Sequence, residues 1–546
     1  MSLFYSELLE LLRKDEPGLR KNLGPMAADE PAPLSEIIEG YGYLFGEGGV
    51  GSIERRLMES LSMKEFGELG LLKYFPRIYR GLPRVYRRER PGENHIKKNF
   101  TNLQGLKRLA MDKACFSLYK MFGVEGCRVC LFTWVMQDGL GDFMAGLEVK
   151  RILEERLGGL EVDWVVVGKG LPKVEGCIVV EDPLEVLERM RECDLILQMP
   201  TLYPKTGELM EAMGKIESRR AMPRMEILGE YGFLESSWFH PKSGNRSLGL
   251  HFLEKGILVR GGKRGGELKN ELLKEWLIEE RRFYLAYLTT RVGGAVYLHA
   301  LLKSLEGDEK GIDICVPDLG WFIDHVEKQN ALGEAVIEGD FGVQSIEVYF
   351  EGQIHSIGCA PRGKVVRLLC PGRISNEDFQ VLVGMSGDFI AVRGDQSFSE
   401  VVSANRGFFY DGREHARYFM KDLLALAENR IWPYKKTLTC FRGMNKAFLH
   451  NLPADEGEWV DETFFQEKEP WLQVALEMGE SLKDPETIAG YKMLNRVMAE
   501  ELSANDFICH LVQRGLCHQK RPEIAQLEME QISSFTTFIE TLRKAL

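Results

Sequence analysis

Short apolar segments alternate with helical patterns through the middle of the chain. They are short and apolar enough to be strands buried on both faces of a sheet. They lie at 128–135, 162–167, 177–180 and 194–199, and again at 312–316, 346–350, 365–370 and 389–392. Because helical patterns separate them, right-handed βαβ connections predict a parallel sheet in each half. The predicted fold class is therefore α/β with two Rossmann-like lobes.

The two ends of the chain have helical spacing instead. Residues 1–120 contain no convincing buried strand, and from about Leu423 onward the pattern is helical to the end. The sequence thus predicts helical N- and C-terminal extensions around the lobes. The predicted domains are a helical region at 1–120, a first lobe at 121–265, a second lobe with linking helices at 266–425, and a helical region at 426–546.

The first predicted strand is followed by a glycine turn that carries two aspartates, Asp138-Gly139-Leu140-Gly141-Asp142. Gly139 and Gly141 would let the backbone approach an acceptor or a phosphate closely. Two carboxylates this near each other raise one pKa and can leave one of them as a general base. The structural alternative is that Asp142 caps the following helix and Asp138 makes a local turn.

A second glycine turn follows the last predicted strand, at Arg393-Gly394-Asp395-Gln396-Ser397. Ser397 or Asp395 would cap the helix that begins there, and the amides of its first turn would face a bound phosphate. Asp395 can accept hydrogen bonds from sugar hydroxyls, and Arg393 can neutralise phosphate charge. The alternative is a structural Arg–Asp pair beside an ordinary helix cap. We interpret the whole turn as a donor-binding site for a nucleotide diphosphate.

Together the two turns resemble motifs of the protein-arginine rhamnosyltransferases that modify elongation factor P. These are inverting glycosyltransferases with two Rossmann-like lobes, often called GT-B. The first turn resembles the family's D-x-x-G-D motif, and the second resembles R-G-E-D-S with Asp for Glu at 395 and Gln for Asp at 396. The segment 254–260 is loosely similar to a glycine-leucine segment of the family.

The resemblance implies a division of roles between the lobes. The first lobe would hold the acceptor, with Asp142 as the base and Asp138 as a positioning residue. The second lobe would bind a nucleotide sugar, with Asp395 in contact with it. The implied acceptor is a protein side chain such as arginine.

Composition and charge narrow the range of partners. The chain has 546 residues, of which 44% are hydrophobic and 28% are charged, as in an ordinary globular enzyme. A net charge of −12 argues against nucleic acid as the main partner. No signal peptide opens the chain and no apolar run is long enough to span a membrane, so we expect a soluble cytoplasmic protein.

The cysteines predict a reducing compartment and no metal. There are eleven of them, an odd number, and several lie in apolar strands, so free buried thiols are favoured over disulfides. Cys509-His510 and Cys517-His518 could offer metal ligands, but adjacent residues on a helix point about 100° apart and rarely converge on one ion. No metal and no resident cofactor are expected.

We therefore expect a GT-B-like glycosyltransferase that moves a sugar from a nucleotide-sugar donor to an acceptor. Two alternatives stay open. One is a nucleotide-sugar epimerase with the same lobes, to which His415 could add acid–base chemistry, although His415 could equally pack, cap or contact a phosphate. The other is a non-catalytic nucleotide-binding protein whose helical ends dock a partner.

Overall fold

The chain divides into two compact units. Unit 1 contains the residues up to Lys255 together with those from Ala504 onward, and unit 2 contains Gly256–Ser503. The predicted helical region at 1–120 lies almost wholly outside the described residues. A computed structural model describes residue 119 and residues 122–529, except 137–139, 173, 219, 233–245, 251–253, 261–265, 278–279, 289, 318–340, 359, 413–415 and 451–468.

Unit 1 is built on a parallel sheet of six strands. The order across the sheet is β3-β2-β1-β4-β5-β6, which is the order of a Rossmann fold. The elements in chain order are β1 (Arg128–Trp134), α1 (Leu140–Arg156), β2 (Glu161–Val167), β3 (Cys177–Val180), α2 (Leu187–Arg191), β4 (Leu195–Gln198), α3 (Thr206–Gly214), β5 (Arg224–Gly229) and β6 (Arg246–Ser247). A 3-10 turn at Pro183–Val186 precedes α2.

Close packing of α1 on β1 fixes the position of the helix that follows the first glycine turn. The Trp164 indole donates to the hydroxyl of Thr133 at 3.1 Å on the face of β1 that α1 covers. A Cβ at Gly146 of α1 would lie 2.5 Å from that hydroxyl oxygen, so only glycine allows the approach. The first turn of α1 is thereby held at the carboxyl end of β1.

Unit 2 contains a second, mixed sheet and a layer of long helices. Its strands are β7 (Arg282–Leu285), β8 (Ile312–Cys315), β9 (Val343–Phe350), β10 (Gln353–Gly358), β11 (Lys364–Cys370), β12 (Ile390–Val392) and β13 (Phe408–Tyr410). Its helices are α4 (Glu271–Trp276), α5 (Arg291–Ser304), α6 (Asn376–Met385), α7 (Gly394–Ser403), α8 (Arg417–Arg430), α9 (Lys435–His450), α10 (Glu469–Leu482) and α11 (Pro485–Glu501).

The strands of unit 2 also follow a Rossmann order. The main sheet runs β10-β9-β11-β8-β7, and β12 pairs with β13 in parallel. The Tyr287 amide donates to the carbonyl of Ala391 at 2.9 Å, which continues the sheet from the end of β7 to β12. When β9 and β10 are left out of the count, the run β11-β8-β7-β12-β13 corresponds to the order 3-2-1-4-5.

The expectation of a purely parallel second sheet is wrong at one edge. β10 pairs with β9 antiparallel. The two strands are joined by Glu351 and Gly352, whose φ values of 48° and 76° are those of a two-residue hairpin turn. The sequence reading missed this hairpin because β10 is largely exposed and carries few apolar residues.

The C-terminal helices belong to both units. α8 to α11 lie in unit 2, whereas α12 (Asn505–Lys520) and α13 (Pro522–Met529) return to unit 1. Gly515 of α12 packs on Leu195 of β4, where a Cβ would lie 2.7 Å from its side chain. The predicted limits at 121–265, 266–425 and 426–546 stay a prediction.

The predicted fold class is confirmed: the chain is α/β with two Rossmann-like lobes and a helical C-terminal part. Among the described residues, no helix combines the length and the apolar character needed to cross a membrane.

Candidate active site

The carboxyl edge of the unit 1 sheet carries a cluster of polar side chains. The strand order reverses between β1 and β4, and an open parallel sheet of this kind binds its ligands in the crevice at that point. Asp142 lies in the first turn of the helix that follows β1. Thr201 follows β4, and Glu230 directly follows β5.

Thr201 connects the two carboxyl groups. Its hydroxyl oxygen lies 3.2 Å from Oδ1 of Asp142 and 2.5 Å from Oε1 of Glu230. The other oxygen of Asp142 accepts a hydrogen bond from the Met136 amide at 3.3 Å. The Ser247 hydroxyl donates to the Glu230 carbonyl at 2.6 Å, which fixes the backbone of Glu230 beside β6.

The pKa values of both carboxyls are raised. Burial, followed by the negative charge of Glu230, raises the pKa of Asp142 to about 7. Burial also raises the pKa of Glu230, against a lowering by the Thr201 hydroxyl. A threonine hydroxyl has one proton to donate, so both of its contacts are hydrogen bonds only when one carboxyl is itself protonated. The pair can therefore take up and release a proton in the physiological range.

The first predicted turn is described only in part. Asp138 and Gly139 lie outside the described residues, whereas Gly141 and Asp142 lie in the first turn of α1. None of the hydrogen bonds of Asp142 to other described residues comes from an amide of α1; they come from Met136 and Thr201. Asp142 is thus not a simple helix cap among these residues.

Sequence reasoning missed Glu230 and Thr201. It expected Asp138 as the carboxylate neighbour of Asp142, and the structure brings Glu230 there from a different strand. The sequence signal that could have identified Glu230 is a charged residue directly after a strand. That signal was not recognised because β5 itself was not predicted.

Unit 2 has its own point of strand reversal, between β7 and β12. The guanidinium carbon of Arg393 lies 5.6 Å from the centre of the Tyr287 ring, so the residues that follow these two strands are in contact. Gly394 has a φ of 74°, a conformation that favours glycine. No described atom beyond its chain neighbours lies within 4 Å of where a Cβ would stand. The turn therefore has open space above its backbone.

The predicted cap of α7 is wrong. Arg393 occupies the N-cap position, and its side chain makes no capping hydrogen bond to the helix. Ser397 lies one turn further on, where its hydroxyl accepts from the Arg393 amide at 3.1 Å and donates to the Arg393 carbonyl. Asp395 lies inside the first turn. The carboxylate of Asp395 thus lies at the positive end of the α7 dipole.

The Gln396 side chain contacts the next turn of α7. Its amide nitrogen donates to Oε1 of Glu400 at 3.2 Å. Arg260, which ends the segment 254–260, lies 3.2 Å from the same buried carboxylate oxygen. The turn is therefore braced by a largely buried ion pair, and the donor-binding role of Arg393, Gly394, Asp395, Gln396 and Ser397 stays a prediction.

Asp411, directly after β13, anchors the loop that follows β7. This buried carboxylate accepts from the Thr290 amide at 2.9 Å and from the Thr290 hydroxyl at 2.5 Å. Thr290 in turn caps α5 by accepting from the Gly293 amide at 3.0 Å. His415, a few residues beyond, lies outside the described residues.

The Cys–His dipeptides lie on α12 and are buried. The Tyr119 hydroxyl and Nε2 of His518 are 2.8 Å apart. In the part of the chain that the structure describes, no group of three or more His, Cys, Asp or Glu side chains could hold a metal ion.

Comparisons with known proteins find structural matches only, since no protein-family model and no curated protein sequence matches the chain. One match is the ADP-heptose lipopolysaccharide heptosyltransferase II of E. coli, with 14% identity, 52% of this chain and 84% of that chain covered, and a TM-score of 0.29. A glycosyltransferase from Rickettsia africae has 13% identity, 70% and 98% coverage, and a TM-score of 0.33.

A third structural match is a mutant of the O-GlcNAc transferase of Thermobaculum terrenum, with 10% identity, 94% and 98% coverage, and a TM-score of 0.33. Because all three TM-scores are low, the fold assignment rests on the strand orders of the two sheets.

Proposed function

We propose that the chain is a glycosyltransferase that transfers a sugar from a nucleotide-sugar donor to an acceptor. The observation that carries the proposal is the Asp142–Thr201–Glu230 cluster at the strand reversal of a Rossmann sheet. A carboxyl whose pKa is about 7 can act as a general base at neutral pH. Asp142 is the proposed base, and burial together with the negative charge of Glu230 keeps its pKa high.

The donor is proposed to bind unit 2. The Arg393 side chain does not cap the first amides of α7, and these amides are proposed to bind the diphosphate. Arg393 would neutralise the charge that develops on the leaving group. Asp395 would accept hydrogen bonds from the ribose or the sugar. The nucleotide sugar is a substrate in this proposal, and no resident cofactor takes part.

The proposed chemistry is a single displacement with inversion. The acceptor atom forms a bond to the anomeric carbon while the bond from that carbon to the diphosphate oxygen breaks. The electron pair of the broken bond stays with the diphosphate, and the acceptor proton passes to the Asp142 carboxylate. The resemblance to the protein-arginine rhamnosyltransferases makes an arginine side chain one acceptor to test, and a hydroxyl group is the other.

The test is binding and turnover of UDP-, GDP- and dTDP-sugars by the full chain. A donor present at about 100 times its dissociation constant stabilises the folded state by roughly 2.7 kcal/mol, which a thermal melt detects. We expect one nucleotide class to bind and slowly release nucleoside diphosphate. If none binds, the proposal is wrong. An intact donor with an altered sugar configuration would identify an epimerase, and binding without any turnover would identify a binding protein.

A further inference from the structure

Two aromatic rings of unit 1 belong to chain segments that contact Asp142 through neighbouring residues. Trp134 ends β1, and Tyr203 lies in the loop after β4. Their ring centres are 5.8 Å apart at an interplanar angle of 78°. Both side chains are half-buried, and Tyr203 also packs edge-on against Phe132. The rings are therefore held firmly on one side and reach solvent on the other. We call this pair the aromatic shelf.

The aromatic shelf and the proposed base are connected through the backbone. Trp134 lies two residues before Met136, whose amide donates to Asp142. Tyr203 lies two residues after Thr201, whose hydroxyl contacts Asp142. The Met136 side chain is 50% exposed at the same edge of the sheet. Each ring thus belongs to a segment that is hydrogen-bonded to the Asp142 carboxyl.

Carboxylates lie near the aromatic shelf. Burial raises the pKa of Tyr203, and the negative charges of Asp182 and Glu208 raise it further. Tyr203 therefore keeps its proton at neutral pH and can donate it in a hydrogen bond. Aromatic faces that are flanked by carboxylates suit a ligand with polarised C–H groups on one face and hydroxyl donors at its rim.

We propose that Trp134 and Tyr203 form a sugar-binding subsite for the acceptor, which stacks the C–H face of a pyranose ring and presents one hydroxyl to Asp142. This inference rests on the proposed function and names its acceptor class as a carbohydrate hydroxyl. An uncharged pyranose ring leaves the pKa of the Asp142 carboxyl unchanged. A guanidinium held in the same place would stabilise the carboxylate and lower its pKa, so that the base would lose its affinity for the acceptor proton.

The test measures glycoside binding to the full chain without a donor, by saturation-transfer NMR. The probes are methyl glycosides of glucose, galactose, mannose, N-acetylglucosamine and rhamnose, with an arginine-containing peptide as the competing class. We expect at least one glycoside to bind, and Trp134→Leu or Tyr203→Leu to weaken that binding by about ten-fold. Trp134→Phe should restore part of it, because the aromatic face is kept.

The matched control is Trp432→Leu, which removes a tryptophan that is 50% exposed in unit 2 and should leave glycoside binding unchanged. Thermal melts of each variant show whether it is folded. Binding of the arginine peptide at Trp134 in place of a glycoside, or binding of neither probe, would overturn the subsite. Donor turnover by the unaltered chain is measured separately. Turnover without glycoside binding contradicts the subsite alone, and glycoside binding without turnover contradicts the proposed transfer.

Discussion

Asp142 and Glu230 come from segments that follow two different strands, yet both carboxyls contact the one hydroxyl of Thr201. Burial raises the pKa of both acids, and their closeness couples them because a negative charge on one makes ionisation of the other harder. The threonine holds them at a fixed spacing. The chemistry of the site therefore depends on Glu230 as much as on the proposed base.

Replacing Glu230 by glutamine should shift the pH dependence of turnover to lower pH. The negative charge of Glu230 raises the pKa of Asp142, so its removal lowers that pKa and keeps Asp142 ionised in more acidic solution. The measurement is kcat/KM for donor turnover from pH 5 to 9. Glu211→Gln, an exposed acid on α3, is the matched control. An unchanged acidic limb in Glu230→Gln would show that the two carboxyls are not coupled.

Replacing Asp142 by asparagine should separate chemistry from binding. Asparagine keeps the shape of the side chain and can still accept from the Met136 amide, but it cannot take up a proton from the acceptor. We expect turnover to fall about 100-fold or more with donor affinity nearly unchanged. Single-turnover rates and donor titration on the same variant decide this. Normal turnover would move the base to Asp138 or to another residue.

Donor binding should depend on Asp395. Its replacement by alanine removes charge-assisted hydrogen bonds to sugar hydroxyls, so donor affinity should fall about ten-fold or more. Isothermal titration with the nucleotide sugar that binds the unaltered chain provides the measurement. Glu377→Ala is the control, since Glu377 is an exposed acid that, like Asp395, lies in the first turn of a unit 2 helix. Equal affinity of both variants would place the donor elsewhere.

The strands that could be predicted are those that form continuous apolar runs. β1, β2, β8 and β11 are buried on both faces, so the sequence places them within a few residues. β5 was missed because it begins with Arg224 and contains the buried Glu226, which break the apolar pattern. β13 was also not predicted, because a strand of only three residues gives a very short apolar pattern. Without β5, nothing in the sequence places Glu230 at the carboxyl edge of the sheet.

Only the part of the candidate site that lies in the turn after a predicted strand could be predicted from the sequence. Asp142 lies in the first turn of the helix that follows β1, so its place at the sheet edge follows from local sequence. Its pKa of about 7 does not, because that value depends on burial and on a carboxylate from a distant segment. The helix cap expected from Ser397 failed for a related reason, since its hydroxyl bonds to the Arg393 backbone one turn back.

An alanine at Gly293 should loosen the loop that Asp411 anchors. The added Cβ would lie 2.2 Å from Oδ1 of Asp411 and 2.6 Å from the Thr290 hydroxyl. One of these groups must move, at a cost of about 1–3 kcal/mol in the free energy of unfolding. Chemical denaturation measures this cost. Gly384→Ala on α6, where no described atom would meet the new Cβ, is the control and should not destabilise. Equal stability of both variants would contradict the packing described for Gly293.

The stability of the fold should also report the raised pKa of Asp142. A carboxyl whose folded pKa lies above its unfolded value stabilises the folded state fully at low pH, and this stabilisation is lost as the pH rises through about 7. Asp142→Asn removes that dependence. The melting temperature of the variant minus that of the unaltered chain should therefore be about 2 °C higher at pH 8 than at pH 5. Asp506→Asn, at an exposed aspartate of unit 1, is the control. A difference in melting temperature that stays constant with pH would mean that Asp142 ionises in the folded chain as it does in the unfolded one.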